Sequence, residues 1–430
     1  MDDQLRNGDR VCIIGGGPAG SFSALHLLKL ARARGLHLEV MIFEPRDGSI
    51  LGPHGCKGCA GILSAGALHN LATLGLTIPD QVVRSDLRGY IVHVQGEVAT
   101  FEQPDPQRRI ISVYRGAGPR LHQGAAFAGF DSYLLSQAQA WGATWIPRRV
   151  RQVVWDGCPI VKTDDGSYPA ALVVLATGVN SRPPLSRQFG YEPPETAIMA
   201  QDEVLRPEGW PADKVAGFFG GLPELVFGAL VPKGPYLNVS LLWRGRAVGA
   251  IQRFYEAHAE VLRRFFPDLP QGLCGCYPRI NVRPARICFG DRWVAVGDAA
   301  VTRLYKDGIN SAFLTAGAAM RAAVEYGVTR QAFQRGYMPL CRRLALDNFF
   351  GKLIYQVSGQ VMRSPRQARA YIRSVCREGA LPPEQRVHSR LLWGMLTGDE
   401  PYCRLFWLAL HPRGIMRWGR ELARIVVYER

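Results

Sequence analysis

The stretch Val11-Cys12-Ile13-Ile14-Gly15-Gly16-Gly17-Pro18-Ala19-Gly20 decides the fold. Four apolar residues, the pattern of a strand buried on both faces, stop abruptly in glycines. Gly15, Gly17 and Gly20 fall at G-x-G-x-x-G spacing. The first glycine of such a loop permits a tight turn. The second lets backbone approach a pyrophosphate, and the third lets the next helix sit close to the sheet. The helix N-terminus at Pro18 to Ser21 then faces anionic phosphates. A helix-like segment from about Ala19 to Arg34 follows, with Leu25, Leu27, Leu28 and Leu30 as its apolar surface. Next comes an apolar strand, Leu38 to Phe43, that ends in Glu44. Glu44 lies 24 residues after Gly20, close to the ~20 expected of a carboxylate that binds a ribose hydroxyl. Together these features predict a dinucleotide site with Gly15, Gly17, Pro18, Ala19 and Gly20 at the phosphates and Glu44 at the ribose. A glycine turn in an ordinary βαβ unit leaves the position of Glu44 a coincidence.

Further along, strand ends followed by glycine recur. Val150–Val154 and Ile160–Thr163 read as a hairpin, and Ala171–Leu175 as a parallel strand ending at Ala176-Thr177-Gly178. Trp293–Val296 is another buried strand, ending at Gly297-Asp298. In an open parallel sheet the tips at Gly15, Gly178 and Gly297 line up on one edge, where ligands bind. Asp298, beside small residues, can accept hydrogen bonds from a polyol chain. Gly308-Ile309-Asn310 opens a helix whose free amides suit negative charge on a ring. Ser64 caps a short helix through Leu74, and Phe130 to Gly142 reads as a helix before a strand at Thr144–Ile146.

Between 195 and 255 the pattern changes to β-hairpins. Leu225–Val231 and Tyr236–Trp243 flank the turn Pro232-Lys233-Gly234-Pro235. From Gly308 onward helical sequence dominates. The expectation is an α/β protein. Its Rossmann-like dinucleotide-binding domain is discontinuous (8–85, 110–190 and 275–330). A mainly antiparallel β-sheet domain (86–109 and 191–274) is inserted, and a helical region (331–430) follows.

The chain of 430 residues exceeds one typical domain, and 47% hydrophobic against 20% charged residues is a globular composition. No apolar run reaches the roughly 18 residues of a membrane span. The start, Met-Asp-Asp-Gln-Leu, is acidic and unlike a secretory signal. Scattered cysteines, several inside apolar runs (Cys12, Cys158, Cys288), fit a reduced cytoplasmic protein better than a disulfide framework. The net charge is +16, and arginines accumulate after residue 330, from Arg342 and Arg343 to Arg420 and Arg424. No helix-turn-helix, zinc-finger or RNP pattern accompanies them, so nucleic acid is not the expected partner. The basic stretches around Leu391-Leu392-Trp393 and Leu405–Leu410 suit a helical surface on lipid headgroups, hence a peripheral membrane contact. A helical cap packed on the catalytic part is the other reading. Cys56-x-x-Cys59 would need a second ligand pair to hold zinc, and Cys274-x-Cys276 is too tightly spaced to supply it, so no metal is expected.

On the glycine loop with Glu44, Ala176-Thr177-Gly178-Val179-Asn180-Ser181 and Gly297-Asp298-Ala299, the chain resembles the FAD-dependent oxidoreductases of the para-hydroxybenzoate hydroxylase superfamily over roughly residues 8–325. The resemblance implies that the first segment holds the ADP half of FAD. The middle segment, usually written with Asp-Gly, supports the pyrophosphate and the nicotinamide approach; here Thr177 replaces the Asp. Asp298 would bind the ribityl chain, and Gly308, Ile309 and Asn310 would face the pyrimidine edge of the flavin.

Narrower features resemble the geranylgeranyl reductase family. They are Lys57-Gly58-Cys59-Ala60-Gly61-Ile62, Phe227 to Gly234, Asn238-Val239-Ser240 and Gly129-Phe130-Asp131, with Arg115 or Arg120 in place of the family's nearby arginine. This resemblance implies reduction of isolated C=C bonds in an isoprenoid or other long apolar substrate, with electrons from NAD(P)H or reduced ferredoxin. Hydride would pass from reduced flavin to one alkene carbon and a proton to the other, with Cys59, Tyr305 and His54 as candidate catalytic residues. An apolar tunnel of Phe218, Phe219, Phe227, Leu237 and Trp243 would hold the substrate. The alternative on the same scaffold is a monooxygenase or halogenase acting on an aromatic small molecule, although the halogenase Gly-Trp-x-Trp-x-Ile-Pro signature is absent.

Overall fold

The computed structural model describes residues 3–48, 61–268 and 270–428. The strand Arg10–Ile14 lies inside a six-stranded sheet, between Glu39–Phe43 and Leu172–Leu175 and parallel to both. Thr144–Ile146 continues the sheet beyond Glu39–Phe43, and Trp293–Ala295 continues it beyond Leu172–Leu175; a short antiparallel piece, Phe289–Gly290, closes that edge. The register sets Ile14 opposite both Phe43 and Leu175, and Leu175 opposite Ala295. Four strand ends far apart in sequence therefore stand in one row. Val11, Cys12 and Ile13 are fully buried, as a strand covered on both faces requires. The helices Pro18–Arg32, Phe130–Ala140 and Gly308–Tyr326 pack together over this sheet. The three-stranded sheet Gln152–Asp156, Cys158–Lys162 and Ser167–Pro169 sets Tyr168 edge-on to Phe43 at 5.2 Å.

The second sheet has seven strands in the order Arg279–Arg283, Glu195–Leu205, Tyr236–Trp243, Leu225–Lys233, Lys214–Phe219, Gly89–Val94 and Glu97–Glu102. Every pairing is antiparallel except Lys214–Phe219 with Gly89–Val94. Arg279–Arg283 was expected in the dinucleotide-binding part but is an edge strand here, because its pairing partner Glu195–Leu205 is remote in sequence. One face of the sheet packs under the helix Ala250–Ala257 and buries Phe218, Leu237 and Trp243. The other face, with Phe219, Phe227 and Leu242, packs against the C-terminal helices. A small sheet of Gly61–Leu63, Ile111–Val113 and Val83–Asp86 joins the two larger ones; Ser112 Oγ donates to the Pro232 carbonyl at 2.6 Å.

The C-terminal helices Met338–Arg363, Pro365–Glu378, His388–Thr397, Tyr402–Ala409 and Pro412–Tyr428 pack on one another and against the seven-stranded sheet. Trp393 lies edge-on to Tyr90 of the sheet at 5.5 Å. Glu378 binds three helices at one point. Its fully buried carboxylate accepts the amides of Val387, His388 and Ser389 at 3.0, 3.1 and 2.8 Å, accepts the Ser389 hydroxyl at 2.9 Å, and pairs with His388 Nδ1 and Arg417.

Candidate active site

The glycine loop is shaped by contacts that leave no room for side chains. Gly15 has φ +109°, and a Cβ built there would stand 2.5 Å from the Ala176 carbonyl oxygen. The first and second strand tips are therefore in backbone contact. A Cβ on Gly297 would lie 2.7 Å from Ala19 Cβ, which brings the third tip against the start of the helix Pro18–Arg32. Thr315 Oγ1 accepts the Gly297 amide at 2.9 Å and fixes that tip. The three tips thus end close together on one edge of the sheet. Next to Gly178, which has φ +67°, the buried Thr177 Oγ1 has no hydrogen-bond partner among the described residues.

Glu44 is buried at the end of its strand and accepts the Gly16 amide at 3.0 Å. Arg46 grips the same carboxylate with Nε at 2.8 Å and a terminal nitrogen at 3.0 Å. Burial alone would lower the Arg46 pKa; hydrogen bonding to Glu44 and its charge reverse this and raise it. Arg115 pairs with Asp131, in the first turn of its helix, through contacts of 3.1 and 2.9 Å. Asp131 and Arg115 both act on Arg46, and Arg115 acts on Asp298. Acids and bases therefore alternate from Glu44 through Arg46, Asp131 and Arg115 to Asp298. Burial raises the Asp298 carboxyl above its usual range, against the pull of Arg115 and the Thr302 hydroxyl. A Cβ on Gly308 would stand 3.8 Å from Asp298 Oδ1, so this carboxyl lies at the mouth of the helix Gly308–Tyr326. Ile309 packs against the core behind it. The Asn310 side chain is spent on structure: it donates to Asp307 Oδ2 at 2.9 Å and accepts from Asn70 at 2.7 Å. Arg120 is exposed, with its amide against Cys274 Sγ at 3.2 Å, so of the two arginines it is Arg115 that stands among the charges near Asp298.

The loop between the third tip and the helix is held from the C-terminal side. Arg303 is buried, donates to the carbonyls of Gly398 and Glu400, and lies over the Tyr402 ring at 4.5 Å. Asn348 accepts the Leu304 amide at 2.8 Å and donates to the Thr302 carbonyl at 2.8 Å. Tyr305 and Asp307 are both left-handed, with φ +64° and +57°, a conformation costly for side-chain-bearing residues. This geometry presents Lys306. Its Nζ stands 4.2 Å from the centre of the Phe227 ring, and burial lowers its pKa to about 8. Tyr305 packs edge-on to Phe227 at 6.2 Å and to Tyr355 at 5.0 Å. Tyr355 opens onto a cavity of about 360 Å³ between the sheet and the C-terminal helices, lined by Phe219, Val226, Met362, Leu392 and Met395, among others. Arg244 and Arg363 stand at its rim.

Of the residues expected to line a tunnel, Phe219 faces this cavity and Phe227 borders the Tyr305–Lys306 loop. Phe218, Leu237 and Trp243 lie on the opposite face of the sheet, so the five do not share one surface. A register shift between Leu225 and Phe227, together with strand alternation, separates them. His54, Cys56, Lys57 and Cys59 lie outside the described residues. Among the described residues no group of three or more His, Cys, Asp or Glu side chains is placed to hold a metal. Arg46 was missed in the sequence, although a base two residues beyond a ribose-binding acid is a usable signal. Tyr355, Met362, Leu392 and Met395 carried none, because helical apolar residues that pack and those that line a cavity look alike.

The sequence matches no family model, and no curated protein matches it by sequence. Solved structures do. A geranylgeranyl bacteriochlorophyll reductase-like protein from Thermoplasma acidophilum superposes with TM-score 0.62 at 15% identity, over 97% of this chain and 100% of the other. The flavin-dependent brominase Bmp2 gives 0.60 at 16% identity, over 98% and 99%. The peptidyl tryptophan dihydroxylase QhpG gives 0.54 at 20% identity, over 79% and 73%. The chain, an α/β protein with a C-terminal helical region, shares the fold of these solved structures.

Proposed function

We propose that the chain binds FAD across its three strand tips and reduces carbon–carbon double bonds of a long apolar substrate. The observation that carries the cofactor is the close approach of Gly15 to the Ala176 carbonyl and of Gly297 to Ala19, which leaves no room for side chains where the three strand tips end. Glu44 takes the ribose hydroxyls, the helix start at Gly17 the pyrophosphate, Asp298 the polyol, and the amides from Gly308 the ring edge. When bound, FAD supplies the two-electron carrier, replenished by NAD(P)H or reduced ferredoxin.

The chain's own residues meet the other demands. An isolated alkene has no oxygen to polarise, so alignment and exclusion of water carry most of the work. The apolar cavity beside Tyr355 provides both. The proton falls to the Lys306 ammonium or the Tyr305 hydroxyl; the Tyr305 ring packs on Tyr355, which lines the cavity. A lysine with a pKa of about 8 is charged at neutral pH yet gives up its proton more readily than a solvated one.

A second reading, oxygenation or halogenation of an aromatic substrate, is favoured by the brominase and the dihydroxylase sharing the fold. Donor consumption with a polyprenyl substrate, measured with and without oxygen, separates the two. Product carrying two extra hydrogens in the absence of oxygen is expected; turnover that requires oxygen overturns the reductase reading.

A further inference from the structure

We infer that the protein docks on an anionic lipid surface through the outer stripe of the helix Met338–Arg363 and the adjoining helix Tyr402–Ala409. Leu346, Phe349 and Val357 share one side of the first helix at three-, eight- and eleven-residue spacing and are 60%, 55% and 64% exposed. Phe349 contacts Phe350 at 5.8 Å, Phe350 contacts Phe406 at 5.3 Å, and Phe406 contacts Trp407 at 5.6 Å. Trp407, at the far end of this aromatic ladder, is 66% exposed. Single exposed apolar residues are ordinary, but a connected ladder with two bare ends marks an interaction surface.

Charge identifies the occupant. Arg342 and Arg343 stand at one end of the stripe, and Arg363 and Arg244 at the other. All four are exposed, and none forms an ion pair among the described residues. A second copy of a chain with net charge +16 would set these arginines against their own equivalents. A bilayer rich in anionic headgroups takes tryptophan and phenylalanine at its interface and arginine at its phosphates. Among the described residues no helix is long and apolar enough to cross a membrane, so the contact is one of lying on the surface. Val357 lines a second hollow that shares Arg244, Tyr355 and Arg363 with the cavity, so docking sets the mouth at Arg244 and Arg363 against lipid. Only the passage of substrate through the mouth rests on the proposed function; the docking does not.

The test is sedimentation of the full chain with vesicles of phosphatidylcholine, with and without phosphatidylglycerol. Binding is expected only with the anionic lipid and is expected to weaken with salt. Phe349→Ala with Trp407→Ala should lower it roughly tenfold or more. Arg342→Glu with Arg343→Glu should do the same. Unchanged unfolding midpoints show that both variants fold. A wild-type protein that stays in the supernatant with both vesicles overturns the proposal, as does binding unaffected by all four substitutions. Self-association lost on Trp407→Ala would assign the face to a second copy and overturn it too. Turnover of a short water-soluble alkene should survive in these variants. Its absence in every form, with docking intact, would defeat only the reductase reading.

Discussion

Lys233 Nζ lies 3.1 Å from Glu203 Oε1, and both side chains are fully buried inside the seven-stranded sheet. Tyr114 Oη donates to the other carboxylate oxygen at 3.0 Å, and its ring faces the ammonium at 4.7 Å. Such a pair is costly to bury but far costlier to break, because one charge remains without its partner. Lys233→Met should destabilise the protein by about 3–5 kcal/mol. The double change Lys233→Met with Glu203→Leu should recover most of that loss. Chemical denaturation of the three proteins measures it; equal losses in the single and double variants would refute it.

Gly20 and Gly178 should separate close approach from backbone strain. A Cβ on Gly20 would run into the Gly15 carbonyl oxygen, whereas Gly178 has open space around it and only its positive φ to protect. Gly20→Ala should give protein without visible flavin absorbance. Gly178→Ala should keep the colour and lose about 1 kcal/mol of stability. Equal flavin content in both would mean that the loop does not hold the cofactor.

The rate should fall as pH rises through about 8, where Lys306 loses its proton. Lys306→Met should abolish that limb of the kcat profile and lower the rate on the order of 10²–10⁴-fold. The stability profile should move the other way. Burial lowers the folded-state pKa from 10.5 to about 8, so between these values the unfolded chain holds more protons. Wild-type stability therefore rises with pH across that interval relative to Lys306→Met. A rate profile unchanged in the variant would remove Lys306 from the chemistry.

Acid should loosen the C-terminal helices first. Burial would raise the Glu378 carboxyl, but the His388 ring and the amides of Ser389 and His388 hold it down to about 2. Its stabilisation is complete above the unfolded value of 4.5 and is lost as pH falls from there towards 2. Glu378→Gln should cost roughly 3 kcal/mol at neutral pH and flatten the pH dependence in this interval. Trp418 and Trp393 fluorescence can follow it. A variant that retains the wild-type acid transition would place that transition elsewhere.

The parallel sheet was legible because buried strands are short apolar runs cut off by glycine. Val11–Ile14 and Ala171–Leu175 announce themselves in this way, and Glu44 follows from its spacing. The Ser64 cap and the hairpin turn at Gly234 were equally plain, since each depends on local chemistry alone. The face that each aromatic residue of the hairpin domain presents was not legible. That depends on a parallel pairing between Gly89–Val94 and Lys214–Phe219 and on one bulge, neither of which leaves a local mark. The alternating charges from Glu44 to Asp298 depend likewise on distant partners: Arg115 and Asp131 mean little until a fold sets them side by side.

The order of strands in the six-stranded sheet fixes when its row of tips can form. Arg10–Ile14 is made early, yet the neighbour on its second edge, Leu172–Leu175, emerges from the ribosome far later, and Trp293–Ala295 later still. Until then the nascent chain carries a largely apolar, half-paired edge that invites aggregation. Gly297 is pinned only once Thr315 has been synthesised. A product truncated before that helix lacks the hydroxyl that holds the third strand tip.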